Sequence, residues 1–165
     1  MNEIVYVNTG EVKLGDSSTI LNSGAIGSCV VVCIYNSSKK MGAMAHIMLP
    51  GVASVENEIK TKYASNAILK LMKLINKNND QSTILETCII GGANVLKRSN
   101  DTIGKKNIDS VEKLLSEKGI IICGKSVGGD KRRTVVFDIK KACMYFTEGN
   151  SSEKILWEKE NIFDQ

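Results

Sequence analysis

Two residues of this 165-residue chain could together do nucleophilic chemistry: Cys29, closing Ala25-Ile26-Gly27-Ser28-Cys29, and His46, the only histidine. The thiolate is the reactive form of cysteine, and a nearby base must generate it by taking the thiol proton. Cys29 stands where a glycine-bearing loop enters the apolar run Val30-Val31-Val32-Cys33-Ile34-Tyr35. His46 belongs to the next strand-like stretch, Met41 to Leu49, after the turn-forming Asn36-Ser37-Ser38-Lys39-Lys40. A hairpin of these two strands sets the start of one beside the end of the other, so thiol and imidazole become neighbours. The pairing points to a cysteine-dependent hydrolase. Singly, each residue has another use: such a cysteine also packs as a small hydrophobe, and a histidine between Ala45 and Ile47 also serves as a hydrogen-bonded core residue.

The elements that must hold this pair follow from the pattern on either side. Ile4 to Val7 reads as a first strand, Gly15-Asp16-Ser17-Ser18 as a turn, and Thr19 to Leu21 as a short strand ending at Asn22-Ser23-Gly24. The run Val30 to Tyr35 is continuously apolar, as expected of a strand buried on both faces. Pro50, the only proline, stops the His46 strand, and Gly51 to Lys60 forms a loop over or beside its end. Ala64, Ala67, Ile68, Leu71 and Ile75 recur at helical spacing opposite Lys70 and Lys73. Thr87 to Ile90 is a buried strand entering the turn Gly91-Gly92-Ala93, and Asn107 to Lys118 a second helix, with Asn107 as its N-cap and Gly119 as its stop. Ile120 to Cys123, Thr134 to Asp138 and Ala142 to Phe146 complete the strands. Strands interleaved with two core-facing helices predict a layered α/β fold with a mixed, largely antiparallel sheet.

Composition restricts the class. With 42% hydrophobic and 24% charged residues the chain is an ordinary globular domain. It opens on a strand rather than a secretory signal, and no apolar stretch is long enough to cross a bilayer, which places it in the cytoplasm without membrane insertion. Five cysteines without a C-x-x-C pair argue against disulfides. A net charge of +4 with 5% aromatics lacks the broad basic face and stacking residues of a nucleic-acid binder.

The other candidate motifs have structural readings. Cys33, Cys88, Cys123 and Cys143 fall in strands and read as core packing, and a zinc site from Cys29, Cys33 and His46 lacks a fourth ligand, so no metal is expected. Gly91-Gly92 and Val127-Gly128-Gly129 lack the spacing of a phosphate-binding loop and read as turns of close backbone approach. Lys131-Arg132-Arg133 reads as a solvated basic turn.

Taken in order, these landmarks resemble the chemoreceptor glutamine deamidases of the CheD family. The likeness rests on Gly27-Ser28-Cys29-Val30, Met44-Ala45-His46-Ile47-Met48-Leu49-Pro50, Tyr63-Ala64, Gly91-Gly92-Ala93, Ile103-Gly104 before Asn107, and Val127-Gly128-Gly129 leading to Arg132-Arg133. The resemblance implies a single α/β/α sandwich domain over 1–148, similar to the catalytic domain of the cytotoxic necrotizing factors. Residues 149–165 form an extension that either packs on the body or contacts a partner. It also implies hydrolysis of glutamine side-chain amides on the cytoplasmic helices of chemotaxis receptors, without metal or cofactor.

The family's catalytic set is cysteine, histidine and a threonine six positions before the cysteine. Here these are Cys29, His46 and Ser23, with serine in place of the threonine. The serine keeps a hydroxyl that could hold the imidazole tautomer but lacks the methyl that stiffens threonine. Backbone amides near Gly27, Ser28 and Cys29 are the expected oxyanion donors. Receptor glutamate methyl esters are a second implied substrate. A binding role, as an adaptor for receptors and a CheC-type phosphatase, is the other implied reading, and Ser23 is the residue that keeps it open.

Overall fold

The computed structural model describes residues 1–77 and 80–160. In chain order the strands are β1 (Glu3–Tyr6), β2 (Val12–Gly15), β3 (Thr19–Ile26), β4 (Val30–Asn36), β5 (Met41–Ile47), β6 (Leu85–Gly91), β7 (Ile122–Val127), β8 (Arg133–Asp138), β9 (Cys143–Glu148) and β10 (Lys154–Glu158). The helices are α1 (Ala64–Ile75) and α2 (Ile103–Glu117). One sheet has the order β1-β3-β8-β9-β10 and the other β2-β5-β4-β6-β7. Each contains a single parallel pair, β1 with β3 and β6 with β7, in an otherwise antiparallel ladder.

The apolar run at Val30 becomes β4, the middle strand of its sheet, and every residue of it is buried. Its alternate residues serve two cores. Val30, Val32 and Ile34 pack under Ala67, Ile68 and Leu71 of α1 and Val111 and Leu115 of α2. Val31, Cys33 and Tyr35 face the second sheet, against Leu21, Val135, Phe137 and Met144. Burying each such Ile, Leu or Phe contributes roughly 1.5–3 kcal/mol, so both interfaces are well supported. The α/β class and the mixed, largely antiparallel pairing agree with the sequence reading. The layering differs: both helices cover one face of one sheet, and the other face is covered by a second sheet. The order is therefore helices, sheet, sheet. Single-strand periodicity reports that a face is buried, not whether a helix or a sheet buries it.

Three strands are more extensive than the sequence suggests. Val12–Gly15 pairs with β5, Thr19–Ile26 runs through the expected turn with a bulge between Asn22 and Ala25, and Ile122–Val127 continues to the edge of the Gly128 turn. Within the tail, Lys154–Glu158 pairs antiparallel with β9, and Trp157 packs on Tyr35 with ring centroids 5.9 Å apart. Residues 161–165 of that tail lie outside the described residues.

Three expectations are corrected. Asn107 does not cap α2: the helix begins at Ile103, so Asn107 lies inside it, on the buried stripe with Gly104, Val111 and Leu115. Arg133 is not part of a solvated turn. It opens β8 almost fully buried, donates to the Ser126 hydroxyl and the Gly128 carbonyl, and pairs with Glu148 at 3.1 Å. Cys123 is exposed, unlike the buried Cys33, Cys88 and Cys143, because β7 is an edge strand with an open face.

Candidate active site

The β4–β5 ladder places Val31 opposite His46, and Cys29 stands two residues before Val31 on the same strand side. Side chains two apart point to the same face of a sheet, so Cys29 and His46 share the face toward the second sheet, on diagonal positions of neighbouring strands. Cys29 is half-buried and packs against that inter-sheet core, while His46 is almost wholly enclosed.

A loop absent from the sequence reading orients the imidazole. Asn8 to Glu11 forms a tight turn in which the Glu11 amide donates to the Asn8 carbonyl and the Asn8 amide to the Glu11 carboxylate, with Gly10 at φ +84°. This turn is stitched to His46 by backbone bonds from the Gly10 amide to the His46 carbonyl and from the His46 amide to the Glu11 carbonyl. The ring's Nδ1 lies 2.9 Å from the Val7 carbonyl oxygen. A carbonyl only accepts, so Nδ1 carries the proton and Nε2 presents the lone pair. Burial holds the imidazole below its ordinary pKa, although the Val7 carbonyl, the Glu11 carboxylate and the Ser23 carbonyl favour its charged form. At neutral pH the ring is therefore a neutral base.

The thiol is uncharged at rest as well. Burial pushes Cys29 above its ordinary pKa, against hydrogen bonds from the Thr9 hydroxyl and its own backbone amide. Thr9 belongs to the same turn that brackets His46, and so touches both halves of the pair through one loop. Its only sequence signal was the turn-like Asn8-Thr9-Gly10.

Ser23 meets the site by a different atom from the one expected. Its hydroxyl donates to the Gly24 carbonyl at 2.7 Å and accepts from the Val135 amide at 2.9 Å, joining β3 to β8 where the bulge interrupts their ladder. The backbone carbonyl of Ser23, rather than its hydroxyl, acts on the imidazole. Replacing threonine by serine leaves that carbonyl unchanged.

The loop before Cys29 is pinned by its carbonyls. Gly27 accepts from the Ala93 amide, Ser28 from the Asn107 side chain, and Cys29 from the Gly92 amide, all within 2.8–2.9 Å. The amides of Ser28 and Cys29 take no part in that network. Close approach requires glycine at position 91: with φ +118°, a Cβ there would stand 2.2 Å from the Cys29 carbonyl oxygen. An open groove of about 360 Å³ borders this loop, lined by Gly27, Ser28, Ala93, Leu96, Asp101 and Arg132. A second, of similar size, is lined by Met48, Glu58, Ile59 and Lys62 on the His46 side. Among the described residues no His, Cys, Asp and Glu cluster is arranged to hold a metal ion, and no helix is long and apolar enough to cross a membrane.

Known proteins share this sequence pattern over most of its length. A family model described as CheD chemotactic sensory transduction matches residues 48–148, a stretch that begins just past His46 and contains both glycine turns and Asn107. The "Probable chemoreceptor glutamine deamidase CheD" of Chlorobium luteolum is 35% identical over 155 residues, covering 93% of this chain and 77% of that protein. The protein of the same description from Methanococcus vannielii is 32% identical, covering 92% and 99% of the two chains. The "Chemoreceptor glutamine deamidase CheD" of Thermotoga maritima is 30% identical, covering 87% and 94%. Likeness of this extent, spanning nearly the full length of the relatives as well as of this chain, makes it a member of the CheD family.

Proposed function

We propose that the chain is a protein-glutamine deamidase that converts glutamine side chains on the cytoplasmic helices of chemotaxis receptors to glutamate and ammonia. The observation that carries this reading is the imidazole tautomer: with Nδ1 donating to Val7, Nε2 is the basic atom, on the same sheet face as the Cys29 thiol. The activity named for the relatives supplies the substrate class.

In this reading His46 Nε2 takes the Cys29 proton as sulfur attacks the amide carbon. The carbonyl electrons move onto oxygen, where the amides of Ser28 and Cys29 stabilise them. The tetrahedral species collapses as the imidazolium protonates the nitrogen, and ammonia leaves a thioester. Water, deprotonated by His46, then hydrolyses the thioester and returns the thiol. The Ser23 carbonyl helps hold the ring, and no step calls for a metal or cofactor. A receptor glutamate methyl ester offers the same acyl carbon and is a second substrate of this mechanism.

Incubation with a receptor cytoplasmic fragment, followed by mass spectrometry of its glutamines, tests the proposal. The parent chain converts defined glutamines and Cys29→Ala converts none; equal conversion by both would remove Cys29 from the chemistry. The adaptor reading, in which receptors and a CheC-type phosphatase are bound without turnover, predicts binding with no conversion. It loses its original support, because the serine-for-threonine exchange leaves the carbonyl that meets the imidazole in place.

A further inference from the structure

The geometry points to Asn107 as a positioning residue that sets the approach of the Cys29 thiol to the His46 imidazole, an inference that rests on the proposed roles of those two groups. The β4–β5 ladder ends at the pair Val30 and Ile47, so the two strands part at the residues that carry the chemistry. At that fork the side-chain amide of Asn107 donates to the Ser28 carbonyl and to the Met48 carbonyl, each at 2.9 Å. Both partners are acceptors only, so the NH2 group must be the end that faces them. One residue of α2 thus replaces the missing rung of the ladder. It joins the residue before the nucleophile to the strand end just past the base.

Packing alone does not call for an amide here. Asn107 is fully buried on a stripe shared with Val111 and Leu115, and its Oδ1 has no hydrogen-bond partner. An unpaired buried acceptor is unfavourable, and a leucine would fill such a stripe without one. The helix is also brought unusually near. A Cβ on Gly104 would stand 2.5 Å from the Gly92 carbonyl oxygen, so α2 rests its first turn directly on the Gly91-Gly92 turn that holds Cys29. The same seat carries Asn107 into the fork.

A double-mutant cycle separates positioning from simple structural support. Alkylation of Cys29 by iodoacetamide at pH 7 is followed by mass spectrometry, below the thermal midpoint of every variant. The cycle uses Asn107→Ala, His46→Asn and the pair. Val111→Ala, one turn along the same buried stripe, serves as the packing control. Positioning predicts a loss of about tenfold for Asn107→Ala, little further loss when His46→Asn is added, and a rate within about twofold of the parent for Val111→Ala. Additive losses in the cycle, a parental rate for Asn107→Ala, or equal losses for Asn107→Ala and Val111→Ala overturn it. So does a parental alkylation rate indifferent to His46→Asn. Should Asn107→Ala not fold, Asn107→Ser, which keeps one donor, enters the same cycle. Receptor-fragment conversion is measured in parallel: a non-additive cycle without conversion by the parent removes the deamidase reading and leaves the positioning role standing.

Discussion

His46 Nδ1 and the Val7 carbonyl oxygen stand 2.9 Å apart, and this one bond selects the atom of the imidazole that can act as a base. His46→Asn tests it. The asparagine side-chain nitrogen replaces Nδ1 and keeps the bond to Val7, but nothing replaces Nε2. Turnover falls by about 10²–10⁴-fold, the range expected for loss of a general base, while the thermal midpoint stays near the parent's. A variant that retained tenth-parental turnover would assign the base elsewhere.

The resting pair is a neutral thiol and a neutral imidazole, since burial raises Cys29 and lowers His46. The plot of kcat/KM against pH is flat from below about 6.5 to above about 8.5, the ordinary values of the two groups. Its acid limb is protonation of His46 and its alkaline limb is loss of the thiol proton. Alkylation of Cys29 likewise has its midpoint above that of a free thiol, and a midpoint well below it would contradict the neutral pair. Stability carries a matching sign. Unfolded His46 takes its proton near 6.5 and folded His46 only at lower pH, so its contribution is complete above about 6.5 and is lost as pH falls through the folded value.

Ser23 joins β3 to β8 by accepting from the buried Val135 amide. Ser23→Ala leaves that amide unpaired and lowers unfolding free energy by about 1–3 kcal/mol, with turnover per folded molecule within about twofold of the parent. Ser23→Thr keeps the hydroxyl and the stability. Denaturant unfolding and kcat measured on the same samples decide the matter; a large kcat loss at unchanged stability would restore the hydroxyl to the catalytic set.

Gly91 lies against the Cys29 carbonyl at a backbone angle that only glycine adopts readily. Gly91→Ala pushes the nucleophile loop away, costing about 1–3 kcal/mol in backbone strain alone and lowering Cys29 alkylation together with turnover. Gly51→Ala, also at positive φ but with open space around its Cβ, is the comparison: it carries strain without displacing Cys29. Equal alkylation by the two variants would separate Gly91 from the site.

Arg133 holds the Gly128 turn, whose amide donates to the Gly91 carbonyl. Arg133→Met removes the pair with Glu148 and two further bonds, lowering stability by about 2 kcal/mol. Arg133→Lys does not recover it, because one ammonium cannot serve the Ser126 hydroxyl, the Gly128 carbonyl and the Glu148 carboxylate at once. Urea unfolding of the two variants checks the difference.

Much of this was legible in residue types and spacing. The continuous apolar run of β4, the α1 stripe, the β4–β5 hairpin and the Cys29 and His46 pair all follow from periodicity and turn chemistry over short distances, and the ordered motifs identify the CheD family. Asn107 shows the limit. Before an apolar stripe an asparagine reads as a cap, because capping is the local use of that side chain; its partners, Ser28 and Met48, lie 79 and 59 residues away. Arg133 looked like part of a solvated basic turn until Glu148 and the Gly128 carbonyl stood beside it, and Thr9 looked like an ordinary turn residue.

The sequence by itself determined which residues could react, because a thiol and a sole imidazole on paired strands are matters of type and local register. Only the tertiary structure decided how they are held: the Val7 carbonyl that selects the tautomer, the Ser23 carbonyl in place of its hydroxyl, and the Asn107 amide at the strand fork. These are contacts of backbone carbonyls between segments far apart in the chain. Every residue has such a carbonyl, so residue identity carries no record of which one will face the site.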